Sequence, residues 1–331
     1  MNPLDLVRLS ALMERSQGRP EIAVALIDGP VITSHPDFGS TTIREIPGKL
    51  KGACTRAETM ACTHGMLVAG ILCARRGSVA PAICPGCTLL LRPIFAEGES
   101  GNRHMPSATP EELADAIADS VDAGARVINL SSALAQPSLK GETKLDEALN
   151  YAARRRVIIV AAAGNQGTLG SSVITRHPWV IPVAACNLRG RPLGESNIGG
   201  SIGRQGLSAP GENITSLGTN GKPQTFGGTS AAAPFVTGTI ALLWSEFPDA
   251  SATRVKLAIA RCGRQQRNAL VPPLLDAEAS YQEMASAHNG DKAHEQKRTS
   301  DGSPARACSP ASSDSASRVP HRGGNRSGRC N

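Results

Sequence analysis

The stretch Gly228-Thr229-Ser230-Ala231-Ala232-Ala233-Pro234 opens an apolar run that continues through Phe235, Val236, Ile240, Leu242, Leu243 and Trp244. A helix that is apolar on nearly every face must be buried, so the run predicts a central core helix with Ser230 at its N-terminal end. Glycine at 227 and 228 lets the backbone, or a bound molecule, come close. Pro234 is expected within about the first turn, where missing N–H groups cost least. A hydroxyl at the head of such a helix is either an ordinary N-cap or a positioned nucleophile. This stretch alone does not separate the two.

Two other segments shift the balance. Glu21-Ile22-Ala23-Val24-Ala25-Leu26-Ile27 is a continuous apolar run, the pattern of a parallel strand covered on both faces. It ends in Asp28-Gly29-Pro30, which puts a carboxylate at the strand's C-terminal edge. Thr63-His64-Gly65 opens an apolar helical run from Met66 to Leu72. Taken singly, His64 reads as a capping or core histidine and Asp28 as a turn former. Together with Ser230 they supply acid, base and nucleophile in the order Asp, His, Ser, one of the chain orders in which a catalytic triad occurs.

A fourth block, Val157 to Ala163 followed by Gly164-Asn165, reads as a buried strand ending in Gly-Asn. With these four blocks in this order, the chain resembles the subtilases, the subtilisin-like serine proteases, over roughly Glu21 to Cys262. The resemblance implies an Asp28, His64 and Ser230 triad and an oxyanion-hole amide from Asn165. The residue types suit that chemistry. A serine hydroxyl is a poor nucleophile until a neighbouring base takes its proton, and imidazole titrates near neutral pH. A buried aspartate fixes the ring's tautomer and stabilises the imidazolium. The Asn165 amide and the Ser230 backbone N–H would meet the charge developing on the carbonyl oxygen. The other reading of Asn165 is a turn residue in Gly164-Asn165-Gln166-Gly167.

A narrower likeness lies in Ala25 to Val31 with Ser34-His35-Pro36, in Pro85-Gly86-Cys87 with Arg92-Pro93-Ile94-Phe95, and in Ala209 to Ile214. These blocks resemble the subtilisin-like proteases of cyanobactin maturation, which trim patellamide-type precursor peptides and in some members close the product into a ring. The cyclising members carry a capping insertion between the Asp and His blocks, and Gly29 to Thr63 is too short for one. The resemblance thus implies hydrolytic trimming of a ribosomal peptide or protein precursor. It also assigns Ser131, Ser132, Ala133, Ala163 and Gly164 to the substrate cleft. Here the chain departs from the family, whose strand is glycine-rich at this place. Ala133 and Leu134 are expected to narrow the cleft toward a small or unusually shaped P1 residue. Met66 and Leu67 replace the family's usual threonine and histidine, a change that bears on packing.

Elsewhere strand and helix alternate. Thr109-Pro110-Glu111-Glu112 is a compact helix start, followed by Leu113, Ala116, Ile117 and Val121 at helical spacing. A strand at 126–130, a helix from Leu145 to Arg156, and strands at 157–163 and 180–185 complete the pattern. The expected fold class is α/β, a doubly wound parallel sheet flanked by helices, with the site at the strands' C-terminal edges.

Three parts are expected: one short N-terminal helix within residues 1–20, a peptidase domain over 21–275, and a disordered basic tail over 276–331. The tail's character changes most from about Ser286, beyond which eight Lys or Arg face four Asp or Glu, in a chain of net charge +7. It reads as a solvated linker or a docking arm. From Ser286 onward it has no Phe, Tyr or Trp for base stacking, which argues against nucleic acid as a partner. The N-terminus lacks a signal-peptide pattern, and no apolar run approaches the roughly 20 residues of a membrane span. A cytoplasmic enzyme without membrane contact follows as the expectation. The nine cysteines are then reduced by default. Cys73 and Cys186 are expected in the core, and a Cys54–Cys62 or Cys84–Cys87 disulfide, or zinc at the latter pair, stands as the alternative. No cofactor is expected; the resemblance leaves structural calcium open, but no run has the carboxylate spacing of a calcium loop. The partner is a peptide or protein substrate. Two alternatives stand beside precursor processing: a general degradative protease, and a subtilase-fold binding protein with little turnover.

Overall fold

The computed structural model describes residues 2–98, 107–131, 142–261 and 270–300, with 289–300 as backbone alone. The chain divides into two compact units, residues 1–288 and 289–331. In the first, seven strands form one sheet: β1 Ala23–Asp28, β2 Ile43–Glu45, β3 Thr88–Pro93, β4 Val127–Leu130, β5 Ile158–Ala162, β6 Val180–Cys186 and β7 Leu207–Pro210. Their order is β2-β3-β1-β4-β5-β6-β7 and each neighbouring pair is parallel. The chain winds one way from β1 to β3 and the other way from β4 onward. The C-terminal ends of β1 and β4 therefore flank the switch point, where ligands lie in such sheets. A small antiparallel hairpin joins β8 Ile214–Ser216 to β9 Gln224–Phe226.

The helices are α1 Pro3–Leu6, α2 Ser10–Arg15, α3 Met60–Cys73, α4 Pro110–Asp122, α5 Glu142–Arg154, α6 Val173–Arg176, α7 Gly200–Gln205, α8 Thr229–Glu246, α9 Ala252–Arg261 and α10 Ala277–Ser300. They cover both sheet faces, which explains why β1 shows no polar alternation. Val24 and Leu26 join one core with Met66 and Ile71 of α3 and Phe235 and Ile240 of α8. Ala23, Ala25 and Ile27 join the other with Ile117 of α4 and Leu149 of α5. The doubly wound parallel sheet is thus the observed architecture. Every residue of α8 from Thr229 to Ser245 is buried.

Three expectations need correction. Pro234 is the sixth residue of α8, not in its first turn. Its missing N–H leaves the Ser230 carbonyl without the usual helical donor, and the Ser131 hydroxyl donates there instead, at 3.5 Å. The N-terminal segment is two helices, because Arg8 turns the chain at φ 51° between them. Arg76 holds the segment down by donating to the Met13 and Ser16 carbonyls. The boundary near 275 is also displaced, since α10 starts at Ala277 and buries Ala277, Ser280 and Met284. Its first turn is capped by the Asp276 carboxylate, which accepts from the Ala279 N–H at 2.9 Å. The basic stretch beyond Ser300 lies outside the described residues.

Candidate active site

β1, α3 and α8 deliver the three predicted chemical groups to one sheet edge. Asp28 is the last residue of β1 and fully buried; His64 lies in the second turn of α3 and Ser230 is second in α8, both buried. The His64 Nδ1 meets Asp28 Oδ1 at 2.6 Å, and the same oxygen accepts the Gly29 N–H at 2.6 Å. Asp28 Oδ2 is buried without a hydrogen-bond partner among the described residues. The close approach of α3 to the end of β1 explains the His64-Gly65 pair. A Cβ on Gly65 would stand 2.5 Å from the Pro30 carbonyl oxygen, so only glycine fits.

Ser230 points its hydroxyl at the Ser131 carbonyl oxygen, 2.9 Å away. Ser131 is anchored in turn: Asn129 Nδ2 donates to its Oγ at 2.7 Å, and Thr237 Oγ1 donates to Asn129 Oδ1 at 2.8 Å. This buried polar chain ties the end of β4 to α8.

Asn165 follows β5 on an exposed loop, yet its side chain is fixed. Its Oδ1 accepts from the Thr229 N–H at 2.8 Å and from Thr229 Oγ1 at 3.0 Å. The amide's two ends have opposite roles, so anchoring the oxygen leaves Nδ2 as a donor without a hydrogen-bond partner among the described residues. Gly228 makes room for it: its φ is +88°, and a Cβ there would lie 2.7 Å from Asn165 Nδ2.

Residues 19–271 match the model of the Subtilase family of S8 peptidases. This chain belongs to the subtilase family. Mycosin-3 of Mycobacterium tuberculosis is 30% identical over 295 residues, covering 72% of this chain and 63% of its own length. The chain thus spans less than two thirds of that curated relative. Among solved structures, a serine-to-alanine mutant of the PatA protease domain has a TM-score of 0.74 at 30% identity, covering 82% of this chain and 97% of its own. The prenylagaramide maturation protease PagA gives 0.73 at 28% identity, covering 83% and 98%.

In this subtilase the electrostatics at His64 follow from burial and one partner. Burial disfavours the imidazolium, but the Asp28 charge and hydrogen bond outweigh it and hold the His64 pKa above its ordinary 6.5. The Phe226 ring stands edge-on to His64 at 6.2 Å. Ala163 and Gly164 are buried beside Asn165, and the Gly164 N–H donates to Thr229 Oγ1 at 3.2 Å. Ser132 and Ala133, with the narrowing they were expected to cause, lie outside the described residues.

Several participants escaped the sequence reading. Local pattern gives Thr229 no role beyond the helix start, although it anchors both Gly164 and Asn165. Asn129, an amide inside an apolar strand, is the signal from which the Ser131 network could have been found. The default of reduced thiols is corrected as well: Cys54 and Cys62 form a disulfide just ahead of His64, while Cys73, Cys84, Cys87 and Cys186 are free and buried. The one cluster of metal-ligating side chains among the described residues is Cys54, Cys62 and Glu97. Its two sulfurs are consumed by the disulfide, which leaves too few donors for a metal. No helix among the described residues is long and apolar enough to cross a membrane.

Proposed function

We propose that this subtilase is a serine endopeptidase in which Ser230 is the nucleophile, His64 the general base and Asp28 the group that orients and charges the base. The observation carrying this reading is the buried 2.6 Å contact of His64 Nδ1 with Asp28 Oδ1 at the sheet edge that also holds Ser230. Asp28 keeps the Nδ1–H tautomer, which leaves Nε2 free to take a proton. Turning the Ser230 hydroxyl from the Ser131 carbonyl toward Nε2 arms the nucleophile, and frees that carbonyl for the N–H of a bound peptide. Attack on the scissile carbonyl moves the Ser230 proton to His64 and forms a tetrahedral oxyanion. Asn165 Nδ2 and the Ser230 backbone N–H stabilise that oxyanion. His64 then returns the proton to the leaving amine, and water hydrolyses the acyl-enzyme by the same route.

The substrate class is a ribosomal peptide or protein precursor, trimmed at a restricted set of sequences. Support comes from the likeness to the maturation protease PagA and to the PatA protease domain. Hydrolysis is favoured over ring closure, because Gly29 to Thr63 holds only a 3-10 turn at Pro36–Phe38 and strand β2 before α3 begins. Location in the cytoplasm is the expectation carried with this reading, and the Cys54–Cys62 disulfide counts against it. The test is mass-spectrometric mapping of cleavage in a diverse peptide library, with Ser230→Ala as control. Cuts at a few related sequences, absent in the variant, support precursor processing. Broad cutting absent in the variant makes this a degradative protease, and cutting that survives Ser230→Ala removes the nucleophile assignment.

A further inference from the structure

We propose that Asn197 is a positioning residue that holds the Asn165 amide at the oxyanion. The inference rests on the reading of Asn165 given above. The loop from Asn165 to Gly170 is exposed throughout, and its large apolar residue, Leu169, is 67% exposed. Apolar packing therefore does little to fix it, yet an oxyanion donor displaced by about 1 Å can lose on the order of 100-fold in rate. Something polar has to set its position.

Asn197 grips the loop on both sides of Asn165. Its Oδ1 accepts from the Gln166 N–H at 3.1 Å, the Thr168 N–H at 3.0 Å and Thr168 Oγ1 at 3.0 Å. Its Nδ2 donates to the Ala163 carbonyl at 3.1 Å and to Gln166 Oε1 at 2.7 Å, and its own N–H donates to the Gly164 carbonyl at 2.9 Å. The neighbouring Ser196 Oγ accepts the Ala185 N–H at 3.0 Å, which moors the pair to β6. Accepting from 166–168 while donating to 163 requires a side chain with both capacities on one planar group, which an amide has. Aspartate would keep the acceptors, lose the donor and set a negative oxygen against the Ala163 carbonyl. Asn165 is thus held by Thr229 through its own oxygen and by Asn197 through the loop that carries it, a loop whose far side is also laced by the Gly167 N–H to the Glu195 carbonyl and the Ile198 N–H to the Thr168 carbonyl.

The test is a double-mutant cycle on the full chain, read as the rate of inactivation by a fluorophosphonate, whose phosphoryl oxygen enters the same hole. Asn165→Ala, Asn197→Ala, Asn197→Asp and the double variants are compared below the unfolding midpoint of the least stable protein. Asn197→Ala should slow inactivation by roughly 10- to 100-fold, Asn197→Asp should also slow it, and neither should slow it further once Asn165 is alanine. A residue that merely stabilises the fold would instead give effects that multiply in the double variant, and that result overturns the inference. Impaired Asn165→Ala with unimpaired Asn197 variants overturns it too, leaving the oxyanion assignment intact. If Asn165→Ala itself reacts at the wild-type rate, the oxyanion assignment fails and this inference falls with it.

Discussion

Asp28, His64 and Ser230 are 0%, 7% and 8% exposed, each borne by a strand or helix that is buried along most of its length. Asn165, proposed for the same chemistry, stands on an exposed loop between β5 and α6. The first three are placed by packing: to move one, a core element must move. The fourth is placed by hydrogen bonds from Thr229 and by the clasp at Asn197. Close-packed interiors resist displacement, whereas a polar clasp yields one bond at a time. Damage to the packed group should therefore be severe and specific in chemistry. Damage to the clasped residue should be graded.

The largest effect is expected at Asp28. Asp28→Asn should lower kcat/KM by about 10⁴-fold, the size of loss expected when the base is held in the wrong tautomer. It should also move the acid limb of the pH profile. His64 must be neutral to take the Ser230 proton, and its pKa is raised by Asp28 against the pull of burial. Wild-type activity should thus fall as the pH drops through a value above 6.5. In the variant burial acts without the opposing charge, and the limb should shift below 6.5. The stability linkage has the opposite sign, because the folded state favours the imidazolium. That contribution is full below the unfolded pKa of about 6.5 and is lost as the pH rises through the folded value. Rate profiles and denaturant midpoints across roughly pH 5–9 measure both, and an acid limb left in place by the substitution would break the assignment of Asp28.

A smaller, graded effect is expected at the clasp. Thr229→Val keeps the shape of the side chain but removes Oγ1, which donates to Asn165 Oδ1 and accepts from the Gly164 N–H. The backbone bond from Thr229 N to Asn165 remains. The rate should fall by roughly tenfold, through a shift of the donor smaller than the 1 Å that costs about 100-fold. The acid limb should stay where it is, since His64 is untouched. Steady-state kinetics over the same pH range decide it. A loss as deep as that of Asp28→Asn would show that Asn165 is no more tolerant than the packed residues, and the division between the two regions would go.

What the chain disclosed beforehand follows the same division. Asp28, His64 and Ser230 terminate or open long apolar runs, so periodicity placed them on elements and the elements placed them together. The parallel sheet was legible for the same reason. Asn197 sits in Gly194-Glu195-Ser196-Asn197-Ile198-Gly199-Gly200, where no period exists and every residue reads as turn. Its importance lies in partners some thirty residues away, which local pattern does not carry. The start of α10 was missed because Ala277, Ser280 and Met284 keep helical spacing in a stretch otherwise dominated by polar residues. The break at Arg8 turns on one positive φ in a segment whose apolar spacing fits a single helix.

The mildest effect on catalysis is expected from the Cys54–Cys62 disulfide, and it tests which region governs His64. The bridge closes a short loop, eight residues in sequence separation, whose last cysteine lies two positions before His64 on α3. Glu97 accepts from the Thr55 and Arg56 N–H groups of that loop at 2.8 and 2.7 Å, so the loop is tied down twice. Opening the bridge frees the unfolded chain by an entropy worth about 2–3 kcal/mol for a loop of this length. At roughly 2–4 °C per kcal/mol for a domain of this size, Cys54→Ser with Cys62→Ser should lower Tm by about 5–10 °C. Yet His64 is positioned by the packing of α3, whose Gly65 lies against the Pro30 carbonyl, and not by the loop before it. The rate below Tm should therefore stay within about twofold of wild type, a change under about 0.5 kcal/mol in the barrier. Scanning calorimetry and fluorophosphonate kinetics on the same samples give both numbers. An unchanged Tm with a large fall in rate would reverse the argument, making the loop rather than the helix the element that sets the base.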